Sequence, residues 1–377
     1  MSVLAFVGRR FGRPGLYTSY AQDMALLNTP AKRIWSGVIV LVALALPFSL
    51  TDDLLIVLAT AFVASIGAIG LNIVTGYAGQ VSLGHAFFLA LGAYTSAVLS
   101  GDPGPSRLIG FGITLLPVWL LASGLVAGLA GLLVAPLVVR LRGLYLAIVT
   151  LGLVFIGEHV FKHWKSLTGG VGVGRPAAVP ELLGIQFAVD GASYTKAQKL
   201  YLLTFVLLVI FGVLARNLVR SRTGRALAAV RDRDIAAEVI GVDVTRYKLV
   251  AFAVSSFYAG VAGSLLYVMI GFIEPSSFNL GMSVQYIAMI LIGGAATISG
   301  SVMGALFISL LPRLTRELPA VLPFISGSTT TGGLTVFTVE TILYGLLIIV
   351  FLIFEPRGLF GIWIRIRNYW KSWPFSH

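Results

Sequence analysis

The sequence predicts an all-α polytopic membrane protein with about ten transmembrane helices and both termini in the cytoplasm. Three observations lead there. The 377-residue chain is 57% hydrophobic and only 11% charged, with a mean hydropathy of +0.94, whereas a soluble domain carries about 25% charged residues. Apolar runs approaching the roughly 20 residues that span a bilayer as a helix recur along it. They are continuous, unlike the short alternating segments of a transmembrane β-barrel. Lys and Arg gather between alternate runs, as they do in cytoplasmic loops.

The runs cover residues 34–50, 54–74, 81–100, 111–138, 143–164, 201–219, 247–270, 283–297, 299–312 and 337–354. Residues 1–33 read as a cytoplasmic arm carrying Arg9, Arg10, Arg13, Lys32 and Arg33, and no cleavable signal peptide is expected before them. Asp52 and Asp53 then fall outside, the uncharged turn at 75–80 inside, Asp102 and Arg107 outside, and Arg140 and Arg142 inside. Residues 165–200 form an extracytoplasmic segment. Residues 216–248 hold eight basic and four acidic residues and form a cytoplasmic loop. Glu274 is outside. The transmembrane domain runs over 34–354, and residues 355–377, with Arg357, Arg365, Arg367 and Lys371, form a cytoplasmic basic tail. One long helix over 283–312 would put that tail outside, so two short helices joined at Gly293, Gly294 and Gly300 are expected, with Arg313 and Arg316 outside.

The net charge of +12 is accounted for by these loops and does not call for nucleic acid. With no cysteine there is no disulfide, thiolate metal site or cysteine nucleophile. Small residues at a spacing of four, Gly124 with Gly128 and Gly300 with Gly304, suit close helix packing in lipid.

Residues 70–92 are too hydrophobic for a loop and too broken for a plain helix. Gly76 and Gly79 interrupt them, and Thr75, Tyr77, Gln80, Ser82 and His85 form a polar cluster between two apolar runs. Non-helical backbone at membrane depth is tolerated where protein or a water-filled cavity covers it, and Gly-broken apolar segments point to a transport path. Two readings stay open here, a substrate path or a tight turn on the cytoplasmic side. For His85 they are a functional group or a neutral ring bonded to a helix carbonyl. A second Gly-broken region, Gly293–Gly304, lies in the other half of the chain, which gives a two-fold internal repeat.

The loop sequence SRTGRALAAVRDRDIAAEVIGVDVTRYK, Ser221–Lys248, reads as more than a topology signal. Thr223 is placed to cap a helix. Residues 226–240 are good helix formers with Leu227, Val230, Ile235 and Val239 as apolar positions. Gly241 sits where a helix ends in the left-handed conformation. The helix presents Arg225, Arg231, Asp232, Arg233 and Glu238. His159 and His163 are spaced like a metal pair but have no third ligand near them, so a polar edge at the interface is expected and no metal site. Gly169–Gly174 lacks the G-K-[ST] ending of a phosphate loop. No catalytic motif is found, and the chain is expected not to be an enzyme.

The pattern GLN-x3-GYAGQ-x-SLGHA-F-x4-GAY, from Gly70 to Tyr94, resembles the signature of the LivM-type permease subunit of bacterial branched-chain amino acid ABC importers. Similarity recurs in order at Leu141–Gly152, from Glu158 to Gly170, in the loop just described, at Gly293–Gly304 and at Glu355–Gly361. The resemblance implies a permease for branched-chain or related amino acids in the inner membrane, with urea or short amides as the alternative cargo. It implies no cofactor of its own, because ATP is bound by partner subunits. The implied partners are a second, LivH-like permease, two ATP-binding subunits and an extracytoplasmic substrate-binding protein. It makes the loop a coupling segment that docks on an ATP-binding subunit through Thr223, Arg225, Asp232, Ala236, Ala237, Glu238 and Gly241. Glu238 follows the Ala pair here, whereas the family consensus puts Glu first. An ion-coupled secondary transporter is the rival class, and it would need charged pairs at mid-membrane where this chain has little beyond His85.

The charge pattern makes a direct prediction. Reporter fusions at Ser193 and Asp232 should report opposite sides of the membrane, and the same side for both would contradict the ten-helix topology.

Overall fold

The structure, a computed structural model, describes residues 30–103, 108–141, 143–182, 184–191, 193–316, 325–326 and 334–372. Most of the N-terminal arm, and Arg107 and Arg142, lie outside the described residues. The chain divides into two compact units, residues 1–52 and 53–377. In the first, helix α1 (Pro30–Ala45) runs into a 3-10 turn at Leu46–Phe48.

The second unit is helical. Its apolar runs lie on α2 (Asp52–Asn72), α3 (His85–Ser100), α4 (Leu116–Arg140), α5 (Leu144–His163), α6 (Lys196–Arg220), α9 (Val244–Ile270), α10 (Leu280–Gly293), α11 (Ile298–Arg316) and α12 (Val336–Phe354). Between α6 and α9 come two short helices, α7 (Arg222–Asp232) and α8 (Asp234–Val239), and α13 (Gly358–Ser372) follows α12. Among the described residues, six helical stretches are long and apolar enough to cross a membrane: Asp52–Tyr77, Leu116–Leu137, Leu144–His163, Lys196–Arg220, Val244–Ile270 and Pro275–Gly293. Residues 342–354 and 358–370 make a further pair bent by 43°, and three apolar helices are shorter. The chain is an all-α, multi-pass membrane protein.

Lipid tails give apolar helices no hydrophobic reason to associate, so packing and interhelical hydrogen bonds must hold them. The seam between α3, α4 and α9 meets that need with glycine and serine. A Cβ on Gly92 would lie 2.0 Å from the Gly260 carbonyl oxygen, and one on Gly260 would lie 2.3 Å from that of Ser123. One on Gly263 would lie 1.9 Å from the Leu89 oxygen. Ser96 bonds the hydroxyls of Ser123 (2.8 Å) and Ser264 (2.6 Å), and Ser123 donates to the Gly92 carbonyl at 2.9 Å. Of the spaced glycine pairs, Gly124 packs tightly on the Phe257 ring, Gly128 makes only ordinary contact, and Gly304 lies hard against Met289.

The segment 165–200 is folded onto the ends of the helices. Strand β1 (Arg175–Pro176) pairs antiparallel with β4 (Phe272–Ile273), and β2 (Glu181–Leu182) with β3 (Ile185–Gln186). Arg175 is buried and donates to the carbonyls of Leu167 (2.9 Å) and Ile109 (2.6 Å). Tyr267 of α9 donates to the Pro176 carbonyl at 3.1 Å and accepts from the Ala178 amide at 3.2 Å.

Three departures from the sequence expectation concern backbone. Helix α2 widens at its end into a π-helix, Ile73–Tyr77. The break between α10 and α11 falls at residues 294–297, with Gly294 at φ 125° and Ala296 at φ 58°, so Gly300 lies in the first turn of α11 and is not part of the joint. The basic tail contains α13, entered through an elbow where Gly358 has φ 64°. Glycine alone takes such angles without strain, which fixes the elbow at that position.

The seam predicts a contrast. Gly260→Val should lower the thermal stability of the purified protein sharply, because its Cβ meets backbone that cannot move aside. Gly212→Ala, where nothing lies within 4 Å of the added Cβ, should leave stability equal or higher.

Candidate functional site

The polar cluster is built on the end of α2, the turn after it and the start of α3. Thr75 and Tyr77 lie on the π-helical turn, and Thr75 donates to the Gln80 carbonyl at 3.2 Å. Gln80 is 4% exposed, Ser82 3% and His85 2%. The Ser82 hydroxyl accepts from the Gly84 amide at 3.3 Å, and Thr150 of α5 accepts from the Leu83 amide at 2.9 Å. His85 opens α3, with its ring 4.9 Å from that of Tyr286 and hydrogen-bonded to the Gly67 backbone. Its Nε2, both polar atoms of the Gln80 side chain and the Tyr94 hydroxyl are buried without partners. One side of the His85 ring thus meets backbone, as the neutral-ring reading expects, and Nε2 is unpaired.

The loop 221–248, expected to be a coupling segment, differs from its expected form. Its helix starts at Arg222, Ser221 is the N-cap residue, and no side chain caps it. Thr223 is therefore not the cap. The Ser221 hydroxyl is already turned back onto the Leu218 carbonyl at 2.6 Å. The single helix expected over 226–240 is two, because Arg233 is extended at φ −156°. The break divides the apolar face. Leu227 and Val230 are buried, whereas Ile235 is 66% and Val239 82% exposed. Gly241 does have φ 86°. Its amide donates to the Glu238 carbonyl at 3.0 Å and that of Val242 to the Ala237 carbonyl at 2.9 Å, the Schellman pattern of a helix end. Asp234, at the start of α8, lies 3.8 Å from the ammonium of buried Lys248.

Of the other residues named, Arg225 donates to the Arg220 carbonyl at 3.2 Å. Asp232 pairs with Arg231 at 2.9 Å. Ala236 and Glu238 are exposed and Ala237 is buried. The rings of His159 and His163 lie 4.1 Å apart, tilted by 32°, with His163 bonded to the His159 carbonyl, and Glu158 is held by Lys162 at 2.6 Å.

The two candidate regions are one site. Arg231 donates to the Gly76 carbonyl at 3.3 Å, and a Cβ on Gly79 would lie 2.9 Å from the Arg231 Cγ. Between them is a cleft of about 220 Å³ whose lining includes Gly79, Gln80, Arg231, Asp232, Asp234 and Lys248. The first Gly-broken stretch thus sits directly against α7. It also touches the second, because Asn72 reaches across to the turn at 294–297.

Comparison with known proteins is decisive for the family. The model described as branched-chain amino acid transport system / permease component matches residues 54–354. The chain belongs to this permease family. It is 32% identical over 307 residues to the high-affinity branched-chain amino acid transport system permease protein LivM of Salmonella typhimurium, covering 77% of this chain and 69% of the relative. The Escherichia coli LivM gives the same identity and coverage. The Escherichia coli LivH protein is 28% identical over 267 residues, 66% of this chain and 80% of the relative. No solved structure matches the chain.

Within this family member the sequence reading passed over Asn72, although it stands in the quoted GLN pattern. An amide inside a long apolar run is the signal that would have marked it, since polar groups at membrane depth need partners. Tyr94 and Tyr286 gave no comparable signal, because aromatic residues are common in apolar helices.

Proposed function

We propose that the chain is one of two permease subunits of an ATP-driven importer that carries branched-chain amino acids across the inner membrane. A LivH-like permease, two ATP-binding subunits and an extracytoplasmic binding protein complete the assembly. The observation that carries this reading is the two-faced coupling element α7–α8. One face is buried through Leu227, Val230 and Ala237 against the chain's own helices. The other leaves Ile235, Val239 and Ile240 exposed at 66%, 82% and 74% beside Glu238, an apolar patch with a charged edge, suited to a groove on another subunit. ATP is bound and hydrolysed by those partners. The fold expectation enters here too: ten spans with cytoplasmic termini, supported by a helix at each of the ten apolar runs.

Thr75, Tyr77, Gln80, Ser82 and His85 line the substrate path in this reading. The support is that a path closed in one state buries polar groups it exposes in another, and Gln80 and His85 carry such unpaired groups. Neutral groups suit a path that must release its cargo. Alternating movement of the two permeases, driven by ATP binding, opens the path to each side in turn. The test is reconstitution of the full complex in proteoliposomes. ATP-dependent leucine uptake, lost when this chain is omitted, is expected; uptake independent of ATP or of this chain would overturn the reading.

Gly241 offers a second test. A Cβ there has open space around it, so any effect of substitution comes from the positive φ alone. Gly241→Val should insert in the membrane but retain the ATP-binding subunits poorly on purification, because a β-branched residue is a strong outlier at that φ. Gly241→Asn should retain them, since Asn tolerates the left-handed conformation. Equal retention by the two variants would contradict the docking role.

A further inference from the structure

Asn72 is the last residue of α2 and is 1% exposed. Its carboxamide makes three hydrogen bonds, all to the α10–α11 turn and the start of α11 in the other half of the chain. The Oδ1 atom accepts from the Ala296 amide at 2.8 Å, and Nδ2 donates to the Thr297 carbonyl at 2.9 Å and to the Ser301 hydroxyl at 2.7 Å. Among the described residues, Ala296 is the non-glycine residue at positive φ, 58°, a conformation a residue with a Cβ adopts only when its surroundings impose it. Asn72 is a large part of what imposes it.

The neighbours on both sides are in equally close contact. A Cβ on Gly76 would lie 1.9 Å from the Asn72 Oδ1 and 2.5 Å from the Ala296 nitrogen. On its far side the Gly76 carbonyl accepts the bond from Arg231 of α7. A Cβ on Gly294 would lie 2.8 Å from the Arg357 carbonyl oxygen, and one on Gly358 would lie 2.6 Å from that of Ile292. The coupling helix, the π-helical turn, the α10–α11 turn and the elbow before α13 therefore form one unbroken stack. The contacts of Gly76 with Ala296, Gly294 with Arg357 and Gly358 with Ile292 are backbone against backbone and leave little room to give way, while Arg231 and Asn72 join the parts through side-chain hydrogen bonds. The π-helical turn lies in the middle of the stack. Its wider i to i+5 bonding lets a helix change register locally, and such turns recur at functional sites.

We propose that Asn72 is the positioning residue that makes the α10–α11 hairpin move with the coupling helix, with Arg231 passing the movement of α7 to Gly76. This rests on the importer reading above and names the residues that carry its coupling. The three bonds of Asn72 all go to the chain's own residues, so it acts by holding the turn at 294–297 to the end of α2. The loss of its bonds would leave α7 free to move while the hairpin stays behind.

The experiment uses the complete importer in lipid nanodiscs. ATP hydrolysis is measured with and without leucine-loaded binding protein, and leucine uptake is measured in proteoliposomes. Asn72→Leu keeps the branched skeleton of the side chain, with bulkier ends, and removes all three bonds. The ratio of stimulated to unstimulated hydrolysis, and uptake with it, should fall about tenfold, the size expected for loss of buried hydrogen bonds. Arg231→Gln should lower the same ratio, and Arg231→Lys should restore most of it, since one donor to the Gly76 carbonyl suffices. The double variant Asn72→Leu with Arg231→Gln should do no worse than the poorer single variant, because the two residues act in series. A normal ratio in Asn72→Leu, or losses that multiply in the double variant, would overturn the proposal. Should Asn72→Leu fail to assemble, Ser301→Ala takes its place in the same cycle, with a smaller loss expected and the same two contradicting results. A wild-type complex without leucine-dependent hydrolysis would overturn the importer reading and the latch together. Normal wild-type coupling with unaffected variants would overturn the latch alone.

Discussion

In a bilayer the backbone has no water to turn to, and each unpaired amide or carbonyl costs several kcal/mol. At membrane depth, any place where a chain leaves helical geometry must therefore be answered by protein or by a water-filled cavity. Two such places, the π-helical turn at 73–77 and the turn at 294–297, answer each other through Asn72. This mutual dependence explains why glycine stands at 76 and 294, where any side chain would collide. It also explains why two stretches more than two hundred residues apart close on one point.

The rest of the fold is arranged so that this point can be held yet moved. The α3, α4 and α9 seam is rigid, with glycines allowing backbone contact and a serine network binding three helices. The cap over 165–200 closes one end through Arg175 and Tyr267. Helices α7 and α8 are held differently. Short, exposed on one side and linked by an extended residue, they rest on the Gly76–Gly79 turn through Arg231. In the proposed importer the bundle would be the rigid part and α7–α8 the docking element, and the Asn72 junction is where the two meet.

Much of this was legible in the sequence, for physical reasons that differ by feature. Apolar runs must be helices in lipid, so each lies on one, and charge separated the loops. Gly241 was legible because a helix end in the left-handed conformation favours glycine. The cap at Thr223 was misplaced by two residues because Ser221, an equally good capping residue, precedes it. The break at Arg233 was hidden because residues 226–240 all favour helix; Lys248 drawing Asp234 toward the bundle is a tertiary effect. The tail read as charge alone, although Ile362, Trp363, Ile366 and Tyr369 give α13 an apolar side. Asn72 could not be assigned from one stretch, because its partners lie at 296, 297 and 301.

The central claim is that the turn beside the coupling helices is part of a path that opens and closes. The measurement that tests it most directly is thiol labelling, clean here because the chain has no cysteine. Cysteines at Gln80 and Ser82, 4% and 3% exposed in this structure, should resist a water-soluble reagent in the state described. They should react when an ATP analogue holds the complex in its other state. Unreactive thiols in every nucleotide state would make this stretch a sealed turn and contradict the account.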